Sequence, residues 1–316
     1  MLSKSNLSEK ELRLLIKVAN MYYIEELSQQ QIADKIGVSR TQVSRLLTSA
    51  KKHEVVRVVI NDPFAKENLV REKLINKYGL KDAVVVNSDG TTISPAMADE
   101  IYIMLDYLLV DGDYIAISGG QSVRKICDDI PVIQDKRFPA VALTGGFGYY
   151  GNDGYQANYN ACVIGNKYHS DSYAINAPTF VYSPTVADAL LAEPSIKKTL
   201  DLAKKCKAAI VGIGNVGADE PSFTTEPIPK VDVEKLAEEG CVANIVGSFI
   251  NKDGKIMKGD NIPTAIGFTA EDLRKIPYVI AVSAGLRKTN AIRSVLFGKW
   301  INILVTDIKT AEALLQ

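Results

Sequence analysis

Apolar residues recur at helical spacing from the start of the chain. Leu12, Leu15, Ile16, Ala19 and Tyr22 or Tyr23 line one side of a helix predicted over roughly Glu9 to Tyr23. Ile32, Ala33 and Ile36 line a second helix, and Val43, Leu46, Leu47 and Ala50 a third. Both of these open on Ser-x-x-Gln, Ser28 to Gln31 and Ser39 to Gln42. In such a box the Ser hydroxyl accepts from the N–H three residues on, and the Gln side chain reaches back to the Ser N–H, so donors that a helix start leaves orphaned are satisfied. Helices are therefore predicted to begin at Gln29 and Arg40. Gly37 tolerates φ > 0 just past the first, and Ala33 is small where a tight turn forces two helices together, as a helix-turn-helix requires.

The period then changes. "VVRVVI" (55–60) reads as a strand, either a wing or a first contact to the next domain, and Asn61-Asp62-Pro63 breaks it before a connecting helix over 64–78. From Asp82 onward, short apolar runs alternate with helical stretches: "AVVV" (83–86), "YIAI" (114–117), "AVAL" (140–143), "AAIVGI" (208–213), "ANIVGSF" (243–249), "YVIAV" (278–282) and "INILVT" (301–306). Continuous β-branched runs between helices are strands buried on both faces of a mostly parallel sheet. The predicted organisation is a helix-turn-helix, winged-helix-like domain over 1–60, a linker and connecting helix over 61–80, and a Rossmann-like α/β domain over 81–316.

Wound sheets bind ligands at the carboxyl ends of their strands, where Gly-rich loops bring backbone N–H groups to an anion. Three loops qualify: Ser118 to Ser122, Thr144 to Gly148, and Gly212-Ile-Gly214-Asn-Val-Gly217. The last spells G-x-G-x-x-G, but Pro221, Pro227 and Pro229 follow where a dinucleotide fingerprint needs a helix, and Asp232 comes too late to meet a ribose. No Gly-Lys-Ser or Gly-Lys-Thr exists for a Walker A loop. The first loop has the better context: a strand precedes it and a helix, Ser122 to Asp128, follows. An anion can sit on the N–H groups of Gly120, Gln121 and Ser122 beside Gly119, with Lys288 arriving from the opening of a helix after strand 278–282.

Charge adds a destination for the N-terminal part. The 316-residue chain has no formal net charge, yet its first 60 residues hold ten Lys/Arg against six Asp/Glu, leaving 27 against 31 in the rest. Arg40, Arg45, Lys51, Lys52 and Arg57 lie on or just after the third helix, where they can neutralise phosphates. Opposite its apolar stripe that helix presents Thr41, Ser44, Arg45 and Thr48, flanked by Arg40 and Gln42, with no acid among them, as a helix in a major groove requires. These six, with Gln29 at the start of the preceding helix, are the candidate contacts to double-stranded operator DNA. Gln42 carries a conflict, since its cap contact competes with a base contact.

The residues also resemble a known family along essentially the whole chain. "YYIEELSQQQIADKIGVSRTQVSRLLTSAKKHEVVRVVI" is similar to the DNA-binding segment of SorC/DeoR-type sugar-responsive bacterial transcription regulators, and "AAIVGIG", "GSFINKDGK", "AGLRKTNAI" and "INILVTDIKTAEALL" to landmarks of their effector domain. The resemblance implies an effector domain related to sugar-phosphate isomerases and deaminases, binding a small sugar, polyol or sugar phosphate, in a homo-oligomer, commonly a tetramer, on a paired operator. Carried over by position, Gly119 to Ser122 with Lys288 form a phosphate cradle, and Thr144, Gly145 and Gly146 line the sugar. Where the family often has acids around the strand at 245–250, this chain has Asn244 and Asn251, which donate as well as accept. Some related regulators hold an aldehyde on a lysine; here none follows the second loop before Lys167, which argues against covalent capture.

The alternative is a sugar-phosphate isomerase or deaminase-like enzyme. It needs a base near a sugar C–H proton, and its candidates, Asp111, Asp113, Asp153 and Asp253, sit in turn-like contexts. A third reading, a helix-turn-helix used only as a protein-binding scaffold, conflicts with the acid-free reading face. No catalytic residue and no cofactor is assigned. No metal site is expected, because only two histidines are present and the four cysteines, Cys127, Cys162, Cys206 and Cys241, show no C-x-x-C spacing. No apolar run reaches the roughly 18 residues of a membrane span, and the charged N-terminus is not a secretory leader, so a cytoplasmic location is expected.

Overall fold

The computed structural model describes residues 7–59, 61–88, 93–146, 155–216, 230–259 and 262–316. Compact units span Met1–Pro63 and Phe64–Gln316.

The first unit contains α1 (Glu9–Tyr23), α2 (Gln29–Ile36) and α3 (Arg40–Lys52). Both predicted Ser-x-x-Gln boxes form, and a third, Ser8 to Glu11, starts α1. α2 ends on Gly37 at φ 73°, whose N–H donates to the Ala33 carbonyl. Val18, Met21, Ile32, Ala33, Val43 and Leu47 bury one another between the three helices. The strand predicted over 55–60 does not form at 55–59, and Ile60 lies outside the described residues. The N–H groups of Val55 and Val56 turn back to the Ala50 carbonyl at the end of α3, and Val58 and Val59 are exposed and pair with no strand among the described residues. β-propensity without a pairing edge does not make a strand.

The second unit opens with α4 (Ala65–Tyr78) and continues as β1 (Asp82–Val86), α5 (Pro95–Leu108), β2 (Ile115–Ile117), α6 (Gln121–Asp129), β3 (Ala140–Ala142), α7 (Ala157–Lys167), β4 (Ser172–Tyr173) and β5 (Phe180–Val181). Then come α8 (Pro184–Ala192), α9 (Pro194–Ala203), β6 (Ala208–Gly212), β7 (Gly214–Asn215), α10 (Lys230–Glu238), β8 (Cys241–Ile245), β9 (Ser248–Asn251), β10 (Thr264–Ala265) and α11 (Ala270–Leu273). It closes with β11 (Tyr278–Val282), a 3-10 turn (Leu286–Lys288), α12 (Thr289–Phe297), β12 (Ile303–Asp307) and α13 (Ile308–Leu315). The connecting helix is part of this body, since Val70, Leu74 and Tyr78 of α4 are buried in its core.

Among the described residues seven strands pair in the order β1-β12-β11-β6-β2-β3-β4, every neighbour parallel. Alternate residues feed two cores: Ala209, Val211, Val279, Ala281 and Leu304 face one side, and Ala208, Ile210, Ile280, Val282 and Val305 the other. Burial on both faces is what the continuous apolar runs encode. One run was misread. "ANIVGSF" is not a strand of this sheet but a hairpin, β8 and β9, antiparallel and joined to β7. It folds back at Val246 and Gly247, with φ 49° and 73°, the double left-handed turn that matches strand twist.

Among the described residues no helix is long and apolar enough to cross a membrane, and no group of three His, Cys, Asp or Glu could hold a metal ion.

Candidate functional site

On α3, Val43, Leu47 and Ala50 face inward, and Arg40, Thr41, Gln42, Ser44, Arg45 and Thr48 are exposed, whereas Gln29 on α2 is half-buried. The conflict over Gln42 resolves in atoms. Its side-chain oxygen accepts from the Ser39 N–H at 2.9 Å and the Ser39 hydroxyl at 3.2 Å, while the Ser39 hydroxyl oxygen accepts from the Gln42 N–H at 3.2 Å. Only its amide N–H groups remain to meet a base. Thr48 donates its hydroxyl to the Ser44 carbonyl at 3.0 Å, which leaves its oxygen as an acceptor.

In the second unit the sheet order reverses between β2 and β6. The chain leaves β2 toward β3 and β4, and leaves β6 the other way toward β11 and β12. A wound sheet opens its crevice at the carboxyl ends of such a pair. The loops after these two strands are stapled together: the Ser118 hydroxyl accepts from the Gly212 N–H at 3.1 Å, and the Ser118 carbonyl accepts from the Asn160 amide at 3.0 Å. Gly119 sits close against the backbone here: a Cβ would stand 3.0 Å from the Tyr155 carbonyl oxygen, tighter than an ordinary van der Waals contact. Lys288 reaches this point from the start of α12, its Nζ donating to the Ile213 carbonyl at 3.3 Å, one residue past β6. The Asn215 amide donates to the Arg287 carbonyl at 3.2 Å and ties the same two segments again.

The cradle is therefore narrower than expected. The Gly120 N–H is committed to the Tyr155 carbonyl at 2.6 Å and cannot meet an anion. The first-turn N–H groups of Gln121 and Ser122, at the positive end of α6, are the donors that a helix start leaves to a ligand. Gly145 and Gly146 do not line an open surface. Both are buried, the Gly145 N–H donates to Ile266 and its carbonyl accepts from the Thr179 hydroxyl, and a Cβ on either would meet the Ala177 carbonyl at 2.5 Å or the Gln156 side chain at 2.7 Å. Their smallness serves packing. Thr144, 6% exposed, bridges to Gly267. Phe147 and Gly148 of that loop, and Gly217, Pro221, Pro227 and Pro229 of the third, lie outside the described residues. The third loop runs into β7 at Gly214, so no helix opens within the described part of its G-x-G-x-x-G, 212–216.

The two asparagines part company. Asn244 of β8 pairs with Gly214 just beyond the end of β6, and its side-chain nitrogen is buried with no hydrogen-bond partner. Asn251 pairs with Cys241 at the other end of the hairpin, some three residues or about 10 Å along the strand. Its side-chain oxygen accepts from the Asp253 and Lys255 N–H groups, both at 3.0 Å, and shapes the turn instead of a sugar site. Two residues were missed. Asn160, fully buried on α7, holds the Ser118 loop and keeps an unpaired side-chain oxygen. Asp307, also fully buried, accepts from the Gly285 N–H at 2.9 Å and so holds the loop that leads to Lys288. The local signal existed only for Asp307, whose Asp-x-x-Thr caps α13.

Of the four acids an enzyme would draw on, two are spent on backbone N–H groups. Asp111 accepts from the Arg137 N–H, 26 residues away in the chain, and Asp113 from the Val110 N–H, closing a turn; Asp253 is exposed; Asp153 lies outside the described residues. Lys167 donates to the Asp128 and Ile130 carbonyls at the end of α6, and burial lowers its pKa.

Residues 62–316 match the family described as "Putative sugar-binding domain". The chain is 26% identical over 310 residues to the sorbitol operon regulator of Klebsiella pneumoniae, covering 97% of this chain and 98% of that protein. It is 31% identical over 317 residues to the transcriptional regulator LsrR of Klebsiella pneumoniae subsp. pneumoniae, covering 98% and 94%. Its structure is similar to the crystal structure of full-length SorC from Klebsiella pneumoniae, with a TM-score of 0.73, 26% identity and coverage of 98% and 100%. A DeoR family transcriptional regulator from Listeria monocytogenes matches with a TM-score of 0.70 and 25% identity over 78% of this chain and 99% of that one.

Proposed function

This chain belongs to the sugar-binding-domain family of transcriptional regulators, and from that premise we propose that its effector is a phosphorylated sugar or polyol held between the carboxyl ends of β2 and β6. The chain is a DNA-binding regulator of a carbohydrate operon and not an enzyme. The observation that carries the finer reading is Lys288 at the Ile213 carbonyl, beside a loop stapled to the positive end of α6. An ammonium and a helix N-terminus on one crevice favour an anion on its rim. Thr144 and Asn244 border the same strand ends and supply neutral polar groups for hydroxyls.

In this reading α3 lies in a major groove with Arg40, Thr41, Ser44 and Arg45 toward the bases and phosphates, and Gln29 and Thr48 at the margins. The protein acts in the cytoplasm as a homo-oligomer, a tetramer on paired half-sites. Effector binding changes how effector domains pack, which moves the paired helix-turn-helix units toward or away from the half-site spacing. The ligand shifts DNA affinity only by its differential affinity for the two arrangements.

A thermal-shift screen of phosphorylated against free sugars tests the effector class. A ligand at about a hundred times its Kd adds about 2.7 kcal/mol to the folded state and raises Tm accordingly. Phosphorylated sugars are expected to stabilise the protein. Stabilisation by free sugars alone would remove the anion cradle.

A further inference from the structure

We propose, on the reading that an anion binds at Lys288, that Asp307 and Thr310 are positioning residues that couple this site to α4, the helix directly after the N-terminal unit. Asp307 ends β12 in full burial, and its carboxylate is held only by donors. One oxygen accepts from the Gly285 N–H at 2.9 Å and from the Thr310 hydroxyl; the other accepts from the Thr310 N–H at 2.9 Å. The Thr310 hydroxyl oxygen also accepts from the Gly285 N–H at 2.9 Å. A buried carboxylate is tolerated only while these bonds persist, so the loop after β11 and the first turn of α13 are constrained to move together.

On the effector side, the Lys288 N–H donates to the Gly285 carbonyl at 2.9 Å, so the residue pinned by Asp307 and the residue that meets the anion share one turn. On the other side, α13 lies along α4. Its Leu314 carbonyl accepts from the Tyr78 hydroxyl at 2.6 Å and from the Lys77 ammonium at 2.9 Å, and Glu312 pairs with Lys66 at 2.9 Å. Ala311 and Leu314 share a core with Val70 and Leu74. Close-packed helices pass on a shift instead of absorbing it. A change in the Lys288 turn therefore reaches α4 at both ends, through Lys66 near its start and Tyr78 at its close.

Hydrogen–deuterium exchange of the full chain, with inorganic phosphate as probe and ionic strength balanced with chloride, tests this. In the wild type, phosphate should slow exchange at 121–124, at 285–289 and across 66–78, the last by about fivefold or more, the lower end of ordinary coupling between sites. In Asp307→Asn, and in Thr310→Val, which keeps the side-chain shape if the first variant does not fold, protection at 121–124 should persist while that at 66–78 disappears. Protection of α4 that survives in Thr310→Val and Asp307→Asn overturns the coupling role. Wild-type protection confined to 121–124 and 285–289 overturns it too, and leaves the anion site standing. No protection at 121–124 or 285–289 removes the anion site, and the coupling with it.

Discussion

The cap at the start of α3 makes stability and DNA binding respond to one substitution with opposite signs. In Gln42→Glu the acceptor to the Ser39 N–H, now at 2.9 Å, is kept and becomes a carboxylate. The first turn of α3 contains no acid, so the new charge meets the helix dipole unopposed. That contributes about 0.3–1 kcal/mol. For a unit of this size it corresponds to a Tm higher by about 2–6 °C. The same charge sits on the exposed face between Arg40 and Arg45 and would confront phosphates, a like-charge juxtaposition costing about 1–3 kcal/mol, or about five- to 150-fold in affinity. Gln42→Ala should lose about 0.5–1 kcal/mol of stability by deleting the reciprocal cap, yet change operator affinity by less than about threefold. Thermal unfolding, and fluorescence anisotropy on an operator selected in vitro by the wild type, both at fixed salt, measure the two quantities. Undiminished DNA binding by Gln42→Glu would take the start of α3 off the DNA. A tenfold loss of affinity in Gln42→Ala at unchanged Tm would make Gln42 a base reader and not a cap.

Three other outcomes are expected. Arg45→Ala should weaken operator binding by about 1–3 kcal/mol and relax specificity at one position; a loss uniform over operator variants, with a shallower salt slope, would mark it as a phosphate contact. Gly267→Ala would place a Cβ 2.3 Å from the Leu143 carbonyl oxygen and 2.7 Å from the Thr144 Cα, backbone atoms that cannot step aside, so urea unfolding should show a loss of about 3 kcal/mol; near-wild-type stability would contradict the close approach. Burial pushes the Cys127, Cys206 and Cys241 thiols from 9.0 up to about 12, whereas Cys162 is exposed. A thiol reagent at pH 8 should therefore label one cysteine per folded chain. These raised values contribute stability that is complete below pH 9 and is lost as pH rises toward 12; alkaline unfolding curves flat across that window would refute the assignment.

What the sequence made legible follows from the range over which each signal acts. The helices of the first unit announce themselves through contacts three or four residues long, Ser28 with Gln31 and Ser39 with Gln42. Six strands of the seven-stranded sheet are readable because burial on both faces leaves unbroken apolar runs; the seventh, β4, is an exposed Ser172 and a half-buried Tyr173, with no run to announce it. "ANIVGSF" imitated such a run: a β-branched residue at 246, in a left-handed conformation that β-branched residues seldom adopt, concealed the turn. "VVRVVI" has strand composition, but its described residues, 55–59, pair with no strand among the described residues, and composition cannot report that. The cradle was legible as a loop and a lysine, but its donors were not. The Gly120 N–H is taken by Tyr155, the Ser118 carbonyl is held by Asn160, and the Lys288 turn is fixed by Asp307. Each partner lies tens of residues away in the chain, where no local periodicity connects them.

The proposed role of Lys288 is to let an anionic effector govern DNA binding. It is tested most directly by titrating the stabilising phosphorylated sugar into the complex of wild-type protein and selected operator, with Lys288→Ala in parallel at the same salt. A shift in wild-type operator affinity of about fivefold or more, lost in Lys288→Ala while its ligand-free affinity is kept, is the predicted result. An equal shift in Lys288→Ala, or a wild-type affinity indifferent to a phosphorylated sugar that raises its Tm, would contradict it.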